Sequence, residues 1–325
     1  MRCSIFCGKT SALFLLWTVL LTAATACQPE SETRRVDFTK TIPETAPVLQ
    51  TGGSAPLKFA IAAMISPKAT AVHYRQLVDY VAHKLNRPVE LVQRKTYSEI
   101  NQLLGQGRID LAFICSGPYF RGKDQLGFEA IAIPQVRGST LYQSYLIVNQ
   151  GSPFGNLGDL RGRVFAFSDP DSLTGKLIPT YWLGQIGDTP ETFFRQVIYT
   201  YSHDNSILAV GKGLVDGAAV DGLVWDYLQE REPTWTARTR IIKKSEAYGI
   251  PPIVVSKNVA QDVRRSVEKI FFSMHDEPDG WKVLRELKID RFLPPDDVWR
   301  QAIQRMRDMV PDPPRQSNVA PDNQK

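Results

Sequence analysis

From Leu57 onward, strand-length apolar runs alternate with stretches whose apolar residues recur every three or four positions. LKFAIAAM (57–64) is the first run and reads as a strand. After Ser66-Pro67, AVHYRQLVDYVAHKL sets Tyr74, Leu77, Val78, Val81 and Leu85 on one stripe, because residues three and four apart share a helix face. Asn86-Arg87-Pro88 stops that helix, since the residue before a proline is pushed out of helical backbone. VELVQRK reads as the next strand, Tyr97 to Leu104 as a short helix, and IDLAFIC (109–115) as a buried strand. An order β-α-β-α-β implies a parallel sheet with helices on its faces.

The order then restarts. SYLIVN, RVFAFS, QVIYTY and GAAV have strand character; LIPTYWLGQI, SILAVGKG and VWDYLQE have helical character. From Pro251, the strand PPIVVS precedes helical patterns at 258–274 and 296–309. This predicts an α/β protein of two lobes: 57–143 begins the first, 144–242 forms the second, and 243–310 returns to the first. A ligand cleft is expected between two parallel-rich mixed sheets flanked by helices.

The ends of the chain differ from this body. Arg2 and Lys9 precede the apolar run Ala12–Ala24, and small residues lead into Cys27. That is the anatomy of an export signal over residues 1–26. A cysteine directly after small residues resembles a bacterial lipoprotein cleavage site, with Ala24 where leucine is usual. The expectation is a lipid on Cys27, a polar, Pro/Thr/Glu/Gly-rich tether over 27–56 and a disordered tail over 311–325. Without residues 1–26 the chain has 37 basic against 34 acidic residues, too even for nucleic-acid binding. Only Cys115 then remains in the body, so no internal disulfide forms and stability must come from a core.

Several chemistries have no motif here. The chain lacks a G-x-S-x-G elbow, a P-loop, HExxH and Cys-x-x-Cys, and its four histidines are scattered. No catalytic residues, metal ligands or cofactor are expected.

One stretch stands out: SDPDSLTGKLIP (168–179). The strand RVFAFS runs into it and a helix starts near Lys176, which puts Ser172, Thr174 and the amides of Leu173 to Lys176 at a helix N-terminus. Free N–H groups and partial positive charge favour an anion there, and Gly175 permits close backbone approach. A plain N-cap by Ser172 or Thr174, contributing about 1 kcal/mol, accounts for the same residue types.

The segments LRGRVFAFSDPDSLTGKLIPTYWLGQIG and FFRQVIYTYSHDNSILAVGKGLVDGAAVDG resemble periplasmic substrate-binding proteins of phosphate/phosphite/phosphonate ABC importers, the PhnD family. YSEINQLLGQGRIDLAF and GIPP (249–252) extend the resemblance across about 57–310. It implies a type II periplasmic-binding-protein fold and a ligand loop at Ser172, Leu173, Thr174 and Gly175. Leu173 stands where a hydroxyl is common, and threonine replaces the last serine. The resemblance further implies a pocket histidine at His203, a pocket acid at Asp221 and a pocket tyrosine at Tyr97. Ser116 falls in the loop after IDLAFIC, and Tyr142-Gln143-Ser144 falls where the chain crosses between lobes. Asp221 beside an anion suits a ligand with a P–OH or a cationic amine.

The resulting expectation is a periplasmic, lipid-anchored monomer that passes a phosphonate, phosphite or phosphate to an ABC permease in the inner membrane. A sensor presenting the same cleft to a membrane receptor uses the same residues. An enzyme of the thiamine pyrimidine synthase-like type, and iron capture through Tyr97, His203 and Asp221, are the other readings of the fold.

Overall fold

The computed structural model describes residues 55–309. The expected export signal, Cys27, the expected tether up to residue 54 and the expected tail lie outside the described residues. Within them, no helix is long and apolar enough to cross a membrane.

Thirteen strands are present among the described residues. The first part of the chain supplies β1 (Leu57–Ile61), β2 (Val89–Val92), β3 (Leu111–Phe113) and β4 (Glu129–Gln135). β5 (Leu141–Tyr142) leads to β6 (Ser144–Asn149), β7 (Val164–Phe167), β8 (Gln196–Tyr199), β9 (Gly217–Asp221) and β10 (Thr239–Lys244). The chain then passes through β11 (Tyr248–Gly249), β12 (Ile253–Val255) and β13 (Arg291–Leu293).

These strands build two mixed sheets. The first has the order β13-β4-β12-β3-β1-β2 and the second β10-β6-β9-β7-β8. In the first, β1 runs parallel to β2 and β3, whereas β12 runs antiparallel to both β3 and β4. In the second, β7 runs parallel to β8 and β9, while β6 runs antiparallel to β9 and β10. The parallel part is thus three strands in each sheet, and the returning strands complete it. β5 and β11 pair antiparallel with Tyr142 opposite Tyr248, so the outgoing and returning connections form one two-stranded ribbon.

Local signals explain the element ends. The helix Pro67–Leu85 buries Leu77, Val78 and Val81, and stops at Asn86, whose left-handed φ of 47° bonds its N–H back to the last turn. The helix Tyr97–Gly105 starts on a capping box: the Thr96 side chain accepts from Glu99 N, and the Glu99 carboxylate accepts from Thr96 N. Phe59, Leu111, Ile253, Leu146, Phe165 and Ala218 are fully buried on the sheets. Each large apolar side chain so buried contributes about 1.5–3 kcal/mol.

The chain differs from the sequence reading in places that share a cause. β4, β10 and β13 lack clean apolar periodicity; β4 contains Pro134 and β10 ends in two lysines. All three run antiparallel to their neighbours. Ser116, expected in a loop, opens the helix Ser116–Leu126, where Gly117 and Pro118 occupy the first turn and need no intrahelical N–H partner. A further helix, Pro278–Leu287, follows the predicted one at Gln261–Ser273.

Candidate functional site

The loop after β7 has two functions. Ser172 caps the segment that follows, its Oγ accepting from Gly175 N at 3.0 Å. Leu173–Leu177 then forms one wide turn, with Leu177 N donating to Ser172 O at 3.0 Å, before the helix Ile178–Gly184. Such wide turns occur often at functional sites. Thr174 carries none of this: its Oγ1 is buried and has no hydrogen-bond partner among the described residues, although its carbonyl accepts from Ser144 Oγ at 2.7 Å.

Tyr97 Oη, Ser168 Oγ and Ser202 Oγ share that condition, buried and without a partner among the described residues. Contacts between the two sheet units bring the four hydroxyls into one region. Tyr97 N donates to Asp169 Oδ2 at 3.1 Å, His203 N to Met64 O at 2.9 Å, and Ser66 N to Asp204 Oδ1 at 2.9 Å. Arg121 pairs with Asp171 at 2.7 Å. The units touch so closely that a Cβ on Gly117 would lie 2.4 Å from Asp171 O. A Cβ on Gly175 would lie 1.9 Å from Ser168 Oγ and 3.0 Å from His203 Cε1, so glycine is required there by space rather than by backbone angle.

His203 is fully buried at the start of the helix His203–Gly211. Its Nδ1 accepts from the main-chain N–H of Asp221 at 3.0 Å. Burial pushes its pKa down to about 3, so the ring is neutral and its single proton sits on Nε2. That Nε2–H lies 3.5 Å from Ser172 Oγ. Asp221 ends β9 and caps the helix Gly222–Arg231 through Leu223 N at 2.8 Å. Burial raises its carboxyl to about 7, despite bonds from Leu223 N and Val224 N that lower it.

The segments beginning at Tyr97, Ser116, Leu173, His203 and Gly222 all place N-termini in this region. Several of their first amides are already paired, among them Tyr97 N to Asp169, His203 N to Met64 O, Gly175 N to Ser172 Oγ and Leu223 N to Asp221, so what they bring is the partial positive end of the segment rather than free N–H groups. The region thus holds buried neutral hydroxyls and, in Asp221, a buried carboxyl that holds a proton up to about pH 7. Neutral dipoles fixed in a buried site can hold an anion without a cationic side chain.

Tyr97, Ser172, Leu173, Thr174, Gly175, His203 and Asp221 therefore lie together. Leu173 contributes main chain only, its side chain being fully buried in the apolar core. Ser116 is buried beside them, but its hydroxyl donates to Gly249 O at 2.6 Å and so fastens the ribbon. Four neighbours were not read from the sequence as ligand groups: Ser168, Ser202, Cys115 and Tyr142. Burial raises the Cys115 thiol to about 11, and Tyr142 Oη lies 4.0 Å from its Sγ. Ser168 and Ser202 each follow a strand at its carboxyl end, and that position was the available signal.

An open cavity of about 650 Å3 adjoins the site between the two units. Asp221 is on its wall, as are Tyr74, Phe113, Leu223, Ile250 and Leu287.

Over residues 59–299 the chain matches the family described as "ABC transporter, phosphonate, periplasmic substrate-binding protein". It is 25% identical over 236 residues to the phosphonates-binding periplasmic protein of Escherichia coli, covering 71% of this chain and 70% of that one. It is 27% identical over 187 residues to the phosphate-import protein PhnD of Mycolicibacterium smegmatis, 53% of this chain and 57% of that one. Among solved structures, a binding protein component of an ABC phosphonate transporter from Pseudomonas aeruginosa superposes with a TM-score of 0.73 at 22% identity, covering 79% and 86% of the two chains. PhnD1 of Prochlorococcus marinus in complex with methylphosphonate gives 0.68 at 17% identity over 78% and 98%.

Proposed function

This chain belongs to the family of periplasmic substrate-binding proteins of phosphonate ABC transporters, and on that premise we propose that its enclosed site holds the oxyanion head of a phosphorus compound. The observation that carries the reading is the set of four buried hydroxyls, on Tyr97, Ser168, Thr174 and Ser202, without partners among the described residues. Buried polar groups are normally paired, so four in one region call for a ligand rich in acceptors. The His203 Nε2–H is a fifth donor. Hydrogen bonds to a charged group contribute about 1.5–3 kcal/mol each. Three or four net bonds suffice for micromolar binding, which requires about 8 kcal/mol.

Asp221, protonated up to about pH 7, acts as donor to a dianion or as acceptor from a P–OH. The named relatives are binding proteins for phosphonates and for phosphate, which keeps the ligand class at phosphorus oxyanions. Donors come from both sheet units, so a bound anion favours the state in which the units touch, and a permease can recognise that state. The lipid on Cys27 is part of the same proposal, and incorporation of labelled palmitate lost in Cys27→Ala is its test. For the site, calorimetry of the purified protein with methylphosphonate, phosphite, phosphate and sulfate should show micromolar or tighter binding of at least one phosphorus anion. No heat from any of them at millimolar concentration sinks the reading.

A further inference from the structure

We propose that the helix Gly222–Arg231 is a clasp between the two sheet units, whose ion pairs set ligand affinity without touching the ligand; this rests on the oxyanion reading above. The helix starts from Asp221 in the site and runs out along the cavity wall. Of its ten residues only Gly222 is buried, so apolar packing does little to seat it. Asp226, Tyr227, Glu230 and Arg231 stand one turn apart in two pairs and share a face. Each of the four reaches residues of the first sheet's unit. Arg137 pairs with Asp226 at 2.8 Å and with Glu230, and Lys288 pairs with Glu230 at 3.0 Å. Arg231 pairs with Glu286 at 2.9 Å, and Tyr227 Oη and His73 Nδ1 bond to each other at 3.1 Å. Much of the charge around the cavity is therefore engaged in joining the units.

The backbone gives a second, independent sign. Arg137 and Lys288 stand at left-handed φ angles of 51° and 58°. Arg137 and Gly138, at φ 75°, are the central residues of a tight hairpin turn, closed by Val136 N to Ser139 O at 2.9 Å and Ser139 N to Val136 O at 3.0 Å. Asn-Gly is the favoured pair in such a turn. Lys288 ends the helix Pro278–Leu287, where glycine or asparagine is favoured. Two long cations thus occupy places that their own backbone disfavours, and both extend to the same helix of the opposite unit. Tyr201, at φ 59°, also meets the opposite unit, with Lys95 over its ring at 4.2 Å. Only Asn86, of the four non-glycine residues with positive φ among the described residues, serves a helix end alone. Strain of this kind collects at functional sites. Exposed ion pairs contribute little one at a time, but these share one helix and form together when the units meet.

Arg137→Asn, Lys288→Asn and their combination test the clasp, by calorimetry of the purified protein with methylphosphonate, phosphite and phosphate and by thermal melts without ligand. Asparagine suits both turns, so the ligand-free melting temperature should hold or rise while affinity falls, about threefold for each change and about tenfold for the two together. Every anion that binds should lose the same factor, because no clasp residue touches it. Raising sodium chloride from about 50 to about 500 mM should weaken binding by wild type more than by the combined variant, since salt screens exposed pairs. Arg231→Glu and Glu286→Arg should each weaken binding about threefold, and the exchanged pair should return to within about twofold of wild type. Unchanged affinity in the asparagine variants, a fall in their ligand-free melting temperature, or an exchanged pair as weak as its single changes overturns the clasp and leaves the oxyanion site standing. Wild-type protein that binds none of the anions overturns both.

Discussion

Thr174→Val separates a ligand hydroxyl from a structural one, because the two roles predict opposite signs. The substitution replaces a hydroxyl by a methyl of similar size at a fully buried position. Without ligand, Thr174 Oγ1 has no partner among the described residues, and the bond made by its carbonyl, from Ser144 Oγ, does not involve the side chain. A buried hydroxyl without a partner carries a penalty of about 1–3 kcal/mol. Removing it should therefore stabilise the ligand-free protein by about 1 kcal/mol, a rise of roughly 2–4 °C in melting temperature. The same change removes one bond to the anion, about 1.5–3 kcal/mol, and should weaken binding roughly tenfold to a hundredfold. Thermal melts without ligand and calorimetry with methylphosphonate measure the two halves. Ser172→Ala is the contrast, since Ser172 caps Gly175 N and its loss should lower stability by about 1 kcal/mol. A lower melting temperature for Thr174→Val together with unchanged affinity refutes the reasoning.

Three further predictions follow from the same geometry. His203→Ala removes the Nε2–H donor and leaves the buried N–H of Asp221 unpaired, so affinity should fall at least tenfold and melting temperature should fall too; unchanged affinity in calorimetry removes His203 from the site. Gly117→Ala puts a Cβ 2.4 Å from Asp171 O, so the units cannot reach the contact described here; affinity should drop more than tenfold with stability retained, and X-ray scattering should show no compaction with ligand, whereas wild-type affinity sinks the idea. Asp221 has its carboxyl raised from 3.8 to about 7, so its contribution to ligand-free stability is complete below pH 3.8 and is lost as pH rises through about 7. His203, lowered from 6.5 to about 3, acts oppositely, contributing above pH 6.5 and losing that as pH falls towards 3. The melting-temperature difference of Asp221→Asn over wild type should therefore grow from pH 4 to pH 7 and then level off; a pH-independent difference contradicts the assignment.

The parts of the fold that the chain announced were those whose neighbours lie close in sequence. The stripe Leu77, Val78, Val81 and the run LAF at β3 are fully buried, and both show in a short window. β4, β10 and β13 did not show, because their character comes from antiparallel partners supplied elsewhere, such as β12 returning from residue 253. In the site, DPDSLTG pointed to itself through its cap and glycine. The anion reading and the cap reading of Ser172 and Thr174 resolve by division: Ser172 caps, and Thr174 is left without a partner among the described residues. Ser168 and Ser202 were hidden because a serine at a strand end is ordinary until burial and the absence of a partner are known. Gly175 was read as permitting close approach to its backbone, and the groups that approach it are Ser168 and His203.

The place of β12 also fixes an order of assembly. β12 lies between β3 and β4, so the first sheet cannot be finished until some 140 residues of intervening chain have been made. β6 to β10 come from one continuous stretch and depend on nothing outside it for their pairing. Long-range pairings of this kind close slowly, so the continuous half is poised to fold first. A chain cut at Ile250 would retain that half and leave β3 and β4 as facing bare edges, open to strands from other copies.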